Sequence, residues 1–105
     1  MPTATYDGIA VEVNDKAFFA DPSRWTPQMA PQIAKEQGID RLTDRHWKVI
    51  RFMRVQYAAK GTVPTVRVLG RTSGVSITEL YRLFPKGPAK TAAKIAGIPK
   101  PQGCI

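Results

Sequence analysis

One stretch of this chain governs what the rest can do. From Asp44 to Ala59 the sequence runs without proline or glycine, with Trp47, Ile50, Met53 and Tyr57 at helical spacing and Val49 and Phe52 widening the apolar stripe. Thr43 is placed to cap its start and Gly61 to end it. The spacing predicts a central core helix over 44–59, with the other elements packed around it. Arg45, Lys48, Arg51 and Arg54 fall on its remaining surface, where a solvated basic face is expected. His46, in its first turn, reads as a surface or capping residue rather than a general base.

Elsewhere glycine and proline cut the chain into short pieces. Residues 3–13 predict a β-hairpin turning at Asp7-Gly8, with Ile9, Val11 and Val13 alternating with Ala10 and Glu12, packed on the helices as an edge. Asp21-Pro22-Ser23 reads as a loop. A helix follows, with Thr26 as its cap, Pro27 at its first position and Gly38 at its stop. Trp25, Met29 and Ile33 share one face of it, and Pro31 sits deep enough to make the first turn irregular.

Between Thr65 and Phe84 two short helices are expected. Thr65 caps the first, and Ser76 with Glu79 forms a capping box for the second. Gly70 and Gly74 are small where such helices cross and turn. With Val66, Leu69, Val75 and Leu80, this is the spacing of a helix-turn-helix. Pro85-Lys86-Gly87-Pro88 ends the unit, and a last, alanine-rich helix runs from Pro88 to Ala96 and stops at Gly97. Lys86, Lys90 and Lys94 recur every four residues along one side of it.

The fold class expected is therefore mainly α, a helix-turn-helix-like bundle with an N-terminal β-hairpin. At 105 residues and 43% hydrophobic composition this is one domain, over 1–97, followed by an extended arm over 98–105. No apolar run approaches the roughly 20 residues of a membrane span, and no secretory pattern opens the chain, so a soluble, cytoplasmic protein without a membrane partner is expected. A single cysteine and a single histidine exclude an internal disulfide framework and leave too few ligands for structural zinc, and neither metal nor cofactor is expected. Paired acid and base groups and a phosphate-binding glycine loop are lacking, which argues against a stand-alone catalyst.

Charge is uneven. Residues 1–44 hold four Lys/Arg against seven Asp/Glu, and residues 45–105 hold twelve against one, Glu79, for a net charge of +8. The later part of the chain therefore suits acidic partners, either nucleic acid or an acidic protein surface.

The chemistry-bearing feature is the tail. Ile98-Pro99-Lys100-Pro101-Gln102-Gly103-Cys104-Ile105 reads as a stiff stalk, with Gly103 as a swivel before the thiol. A lone cysteine is ordinarily an incidental small hydrophobe. Behind such a stalk Cys104 has little core to join, and an exposed thiol suits sulfane-sulfur transfer, which needs a nucleophilic thiolate with reach. Lys86, Lys90, Lys94 and Lys100 are the cations available to attract an acidic partner or to stabilise an anionic persulfide.

Leu83-Phe84-Pro85-Lys86-Gly87-Pro88-Ala89-Lys90, Lys94-Ile95-Ala96-Gly97-Ile98-Pro99-Lys100-Pro101 and Gly103-Cys104-Ile105 resemble the C-terminal signature of the DsrC/TusE family. Leu42-Thr43 with His46-Trp47, and Val63-Pro64 leading to Arg67, resemble it upstream. The resemblance implies a mostly helical fold with an N-terminal hairpin, a helix-turn-helix-like core and a mobile arm whose functional cysteine is Cys104. It implies a persulfide carrier, a sulfurtransferase component. The donor would be a TusBCD- or DsrEFH-like protein, and the acceptor a tRNA 2-thiouridylase or a dissimilatory sulfite reductase. DsrC members carry a second cysteine in the last helix; here that position is Ala93, which favours one-cysteine chemistry. The chain is also shorter between Val68 and Tyr81 than the family pattern.

Two alternatives stand beside the carrier. One is a helix-turn-helix DNA-binding regulator of sulfur metabolism, with the helix from Ser76 to Phe84 in the major groove, Arg71, Arg82 and the Arg45 to Arg54 stripe on phosphates, and Ser76 and Thr78 as base readers. The other is a structural subunit of a larger redox complex that is indifferent to Cys104.

Overall fold

The computed structural model describes residues 2–101. Strands β1 (Thr3–Tyr6) and β2 (Ile9–Glu12) pair antiparallel with Thr3 opposite Glu12 and Tyr6 opposite Ile9. Asp7 and Gly8 both take positive φ, 53° and 73°, the two-residue turn whose twist matches that of the strands. Tyr6 and Val11 face inward, Tyr6 stacks on Phe19 with ring centroids 6.1 Å apart, and Val13 bridges to Phe19. Gln32 fastens the hairpin to the first helix, donating to the Thr5 carbonyl at 3.0 Å and accepting from the Asp7 N–H at 3.1 Å.

Helix α1 (Ala30–Glu36) is preceded by a 3-10 turn over Pro27–Met29, the irregular start that Pro31 forewarns. A second 3-10 turn, Pro22–Arg24, is capped by Asp21, whose carboxylate accepts from the Ser23 N–H. Thr26 precedes the Pro27–Met29 turn but its hydroxyl does not cap it: the Met29 N–H donates to the Thr26 carbonyl at 3.0 Å, and the hydroxyl is buried without a hydrogen-bond partner. Gly38, at φ 84°, closes α1, with Ile39 N–H returning to the Ala34 carbonyl at 2.9 Å.

Helix α2 (Asp44–Lys60) matches its expected span to within a residue and ends on Gly61 at φ 69°. Its buried line is His46, Val49, Ile50 and Met53, whereas Trp47, Phe52 and Tyr57 are only partly covered. Helices α3 (Val66–Thr72) and α4 (Ile77–Leu83) are capped by Thr65 and Ser76, whose side chains accept from the N–H groups of Val68 and Glu79. They cross at Gly70, where any Cβ would collide with the side chain of Ile77.

Helix α5 (Pro88–Ile95) is the hub, a place that the apolar spacing predicts for α2. It contacts α1, α2, α3 and α4, and buries Pro88, Ala89, Thr91, Ala92, Ala93 and Ile95. The reason is size. Four helices converge on one eight-residue helix only if its side chains are short, and alanine is both the shortest and the best helix former. A bulky stripe marks a helix that rests on the core from one side.

Candidate functional site

The chemistry expected of Cys104 and the swivel expected of Gly103 fall outside the described residues. What is described is the base from which that segment departs. Gly97, at φ 69°, ends α5 with a paired return: Gly97 N–H donates to the Lys94 carbonyl at 3.2 Å and Ile98 N–H to the Ala93 carbonyl at 3.1 Å. Ala93 is fully buried, Ile98 is 1% exposed and Pro101 is buried, so the segment read as an arm from residue 98 onward begins with residues packed on the domain. Pro99 and Lys100 line a cleft of about 290 Å³ with Tyr57, Gly61, Thr62, Val63 and Thr65.

Two further carbonyls at the end of α5 find partners far away in sequence. Trp25 Nε1 donates to the Ile95 carbonyl at 2.8 Å. Arg54 Nη1 donates to the Ala96 carbonyl at 2.7 Å and Nη2 to the Pro22 carbonyl at 3.2 Å, while its guanidinium lies 4.3 Å from the centre of the Trp25 ring. Arg54 was expected on a solvated face. Instead it fastens α2, the 3-10 turn at Pro22 and the end of α5 together, and burial depresses its pKa. The ring of Trp25 lies against Gly97, where a Cβ would strike it. No local signal in the sequence couples residues 25, 54 and 96.

The lysines separate into two places. Lys94 is half-buried, with Nζ 5.0 Å from the centre of the Phe18 ring. Its pKa is held down first by burial, then by the charges of Lys90, Lys16 and Lys86, with Glu36 opposing. Lys86 reaches the turn at Gly38. These cations form a cluster beside α1 that takes in Lys16, which sequence spacing did not indicate. Lys100 lines the cleft with Tyr57 and Val63, apart from this cluster.

His46 takes the capping role expected of it, but from a buried position rather than on the surface. The Thr43 N–H donates to its Nδ1 at 3.0 Å and its Nε2 donates to the Leu83 carbonyl at 2.9 Å, while the ring meets Phe84 edge-on at 5.2 Å. The ring thus replaces the usual Glu or Gln of a capping box and ties the start of α2 to the end of α4. Both nitrogens are occupied, which leaves none to act as a general base. Glu79 does not complete a capping box at Ser76: its carboxylate takes two 2.7 Å hydrogen bonds from Arg45, which together with Lys48 and Arg82 lower its pKa. Arg71 and Arg82 are exposed on α3 and α4, and the carboxylate of Glu79 sits within the basic stripe expected to meet phosphates. Among the described residues no three His, Cys, Asp or Glu side chains group as metal ligands, and no helix is long and apolar enough to cross a membrane.

Comparison with known proteins gives a consistent result. The family model described as "DsrC like protein" matches residues 5–105. The gamma subunit of dissimilatory-type sulfite reductase from Nitratidesulfovibrio vulgaris is 37% identical over 105 residues, covering all of both chains. Sulfurtransferase TusE from Escherichia coli is 40% identical over 107 aligned positions, covering 95% of this chain and 97% of that one. Those positions exceed the length of this chain, so TusE carries residues without a counterpart here. Among solved structures, the crystal structure titled dissimilatory sulfite reductase I (DsrI) superposes with a TM-score of 0.88 at 36% identity, covering 99% of this chain and all of that one. The NMR structure of Allochromatium vinosum DsrC superposes with a TM-score of 0.82 at 36% identity, covering 98% and 97%.

Proposed function

Since this chain belongs to the family of DsrC-like proteins, we propose that it is a sulfur-relay carrier that holds sulfane sulfur as a persulfide on Cys104. The observation that carries the reading is the family match running from residue 5 through residue 105, which takes in the tail with its lone thiol. In this reading the domain extends to residue 97, and residues 98–105 are the carrying arm, based on the buried Ile98 and Pro101. Gly103 supplies backbone freedom beside the thiol. Lys86, Lys90, Lys94 and Lys100 are the cations that attract an acidic partner or stabilise the anionic persulfide.

The transfer step balances without an added oxidant. The Cys104 thiolate attacks the outer sulfur of a donor persulfide, forming an S–S bond on Cys104 and releasing the donor's thiolate; the acceptor then takes that outer sulfur and returns Cys104 as thiolate. Ala93 confines the chemistry to one cysteine, so each cycle moves one sulfur atom between proteins instead of closing a disulfide within the chain. The protein is a sulfurtransferase component of the cytoplasm, not a stand-alone catalyst. Its donor is of the TusBCD or DsrEFH type.

For the acceptor there are two readings. A tRNA 2-thiouridylase follows from likeness to TusE. A sulfite reductase-type acceptor follows from the sulfite reductase gamma chain, which aligns over the whole of both sequences where TusE leaves residues unmatched. The DNA-regulator reading draws no support from these relatives.

Intact-mass spectrometry under non-reducing conditions tests the carrier role. After incubation with a sulfur donor, the protein is expected to gain about 32 Da, removable by thiol, and Cys104→Ser to gain nothing. No gain on a thiol shown by alkylation to be accessible would overturn it.

A further inference from the structure

Both tryptophans of the chain, Trp25 and Trp47, line a second cleft, of about 470 Å³, with Pro27, Arg51, Arg54 and Val55. We propose that this cleft docks an acidic segment of a protein partner, seating one apolar or aromatic side chain of that segment against Val55 and Pro27 and pairing its carboxylates with Arg51. The inference rests on the carrier reading only in making that partner a sulfur donor or acceptor.

Three observations converge on it. The first is exposed apolar surface: Val55 is 65% exposed in the middle of a helix, beside the exposed ring of Pro27 and two part-covered indoles. Such a patch, with Trp and Arg at its centre, has the composition of an interface hot spot. The second is charge. The cleft wall holds two arginines and no carboxylate. Arg54 is committed to the carbonyls of Ala96 and Pro22, while Arg51 is exposed. From residue 45 onward the chain's sole acid is Glu79, and that is paired with Arg45. The net charge of +8 favours an acidic partner, and the exposed Arg51 meets it at contact.

The third is position. Trp25 and Arg54 are the residues that hold the Ile95 and Ala96 carbonyls. A segment docked on their outer side lies beside the start of the carrying arm. From the buried Pro101 an extended chain reaches up to roughly 11 Å at Cys104, so docking beside the arm's start raises the effective concentration of the partner's sulfur around the thiol.

The same geometry selects protein over RNA. Base recognition needs open aromatic faces. Here Arg54 covers one face of Trp25 at 4.3 Å, and Arg51 stands over Trp47 at 5.6 Å from the ring centre.

Because both tryptophans of the protein line the cleft, indole emission reports on its occupancy. The test selects binders to the full-length chain from a random displayed-peptide library, then titrates the consensus peptide, made without tryptophan, while emission is recorded. The expected consensus places an aromatic or aliphatic residue among Asp and Glu. It produces a saturable emission change that is weakened about tenfold or more in both Arg51→Glu and Val55→Asp, each at an exposed position, and is kept in Lys35→Glu, a matched change of charge on α1. Consensus peptides without acids, an unchanged emission, or binding that survives both cleft variants overturns the proposal. So does single-stranded oligouridylate that competes the peptide away and itself shifts emission, which would make the cleft an RNA site. An emission shift on removing residues 102–105 alone would make the chain's own end the occupant and overturn it equally. Mass gain on polysulfide treatment of the unmutated protein judges the carrier reading separately.

Discussion

Helices α2 and α5 reverse the roles their sequences suggest. α2 is twice as long and carries the bulkiest apolar stripe, yet Trp47, Phe52 and Tyr57 stay half-covered and Val55 faces outward. α5 offers three alanines among its eight residues, and six of the eight are buried under four other helices. Large side chains fill space around a centre, whereas the centre itself goes to the element that lets backbones approach most closely. The functional consequence is that the cysteine-bearing segment leaves from the best-anchored helix, while the surface offered to partners sits on the helix with apolar area to spare.

Sharp tests of that contrast begin with the one line of α2 that is fully buried. Met53→Ala is expected to cost about 2–5 kcal/mol in denaturant unfolding, because it leaves a cavity at a site with no exposure. Phe52→Ala, half-covered on the same helix, should cost clearly less, and equal costs would mean the stripe is buried more evenly than its exposure implies. Ala92→Leu on α5 is expected to lose about 1–3 kcal/mol by overpacking, whereas Ala58→Leu on the exposed side of α2 should stay within about 0.5 kcal/mol. A well-tolerated Ala92→Leu would break the account of α5 as a hub limited by side-chain size.

Gly97→Ala tests the anchor. It meets both a positive φ and the ring of Trp25, so a loss of about 1–3 kcal/mol is expected, with a changed tryptophan emission spectrum as the second readout. At neutral pH the smallest effect is expected far from either helix end, at Tyr6. Its phenol donates to Glu36 at 3.2 Å, and burial, then the Glu36 charge, push its pKa up to about 12. Between pH 10 and 12 the unfolded chain gives up this proton before the folded one does. Stability from Tyr6 is thus intact below pH 10 and is lost as pH rises through 12, and Tyr6→Phe should flatten that part of a melting-temperature profile.

The local features of this fold were legible because they are written by neighbouring residues. The Asp7-Gly8 turn, the caps at Thr43, Thr65 and Ser76, the small crossing at Gly70 and the stops at Gly38, Gly61 and Gly97 each follow from a short-range demand on φ or on an unpaired N–H. The misreadings came where a distant residue competed. Glu79 abandons the Ser76 cap for Arg45, and His46, expected as a surface or capping residue, caps from a buried position because it also reaches Leu83. Arg54 goes inward because the end of α5 presents carbonyls to it. Lys100 parts from the α5 lysines because the closing turn at Gly97 sends the chain toward Tyr57 and Val63.

By itself the sequence determined the helical class, the span of α2, the family and the lone thiol at Cys104, since these depend on residue identity and spacing along the chain. Only the tertiary structure decided which helix is central, which cations stand together and that Trp25, Trp47, Arg51 and Val55 share a cleft at the base of the arm. Those outcomes depend on which backbones can approach and which buried carbonyls need donors, and both are settled between segments tens of residues apart.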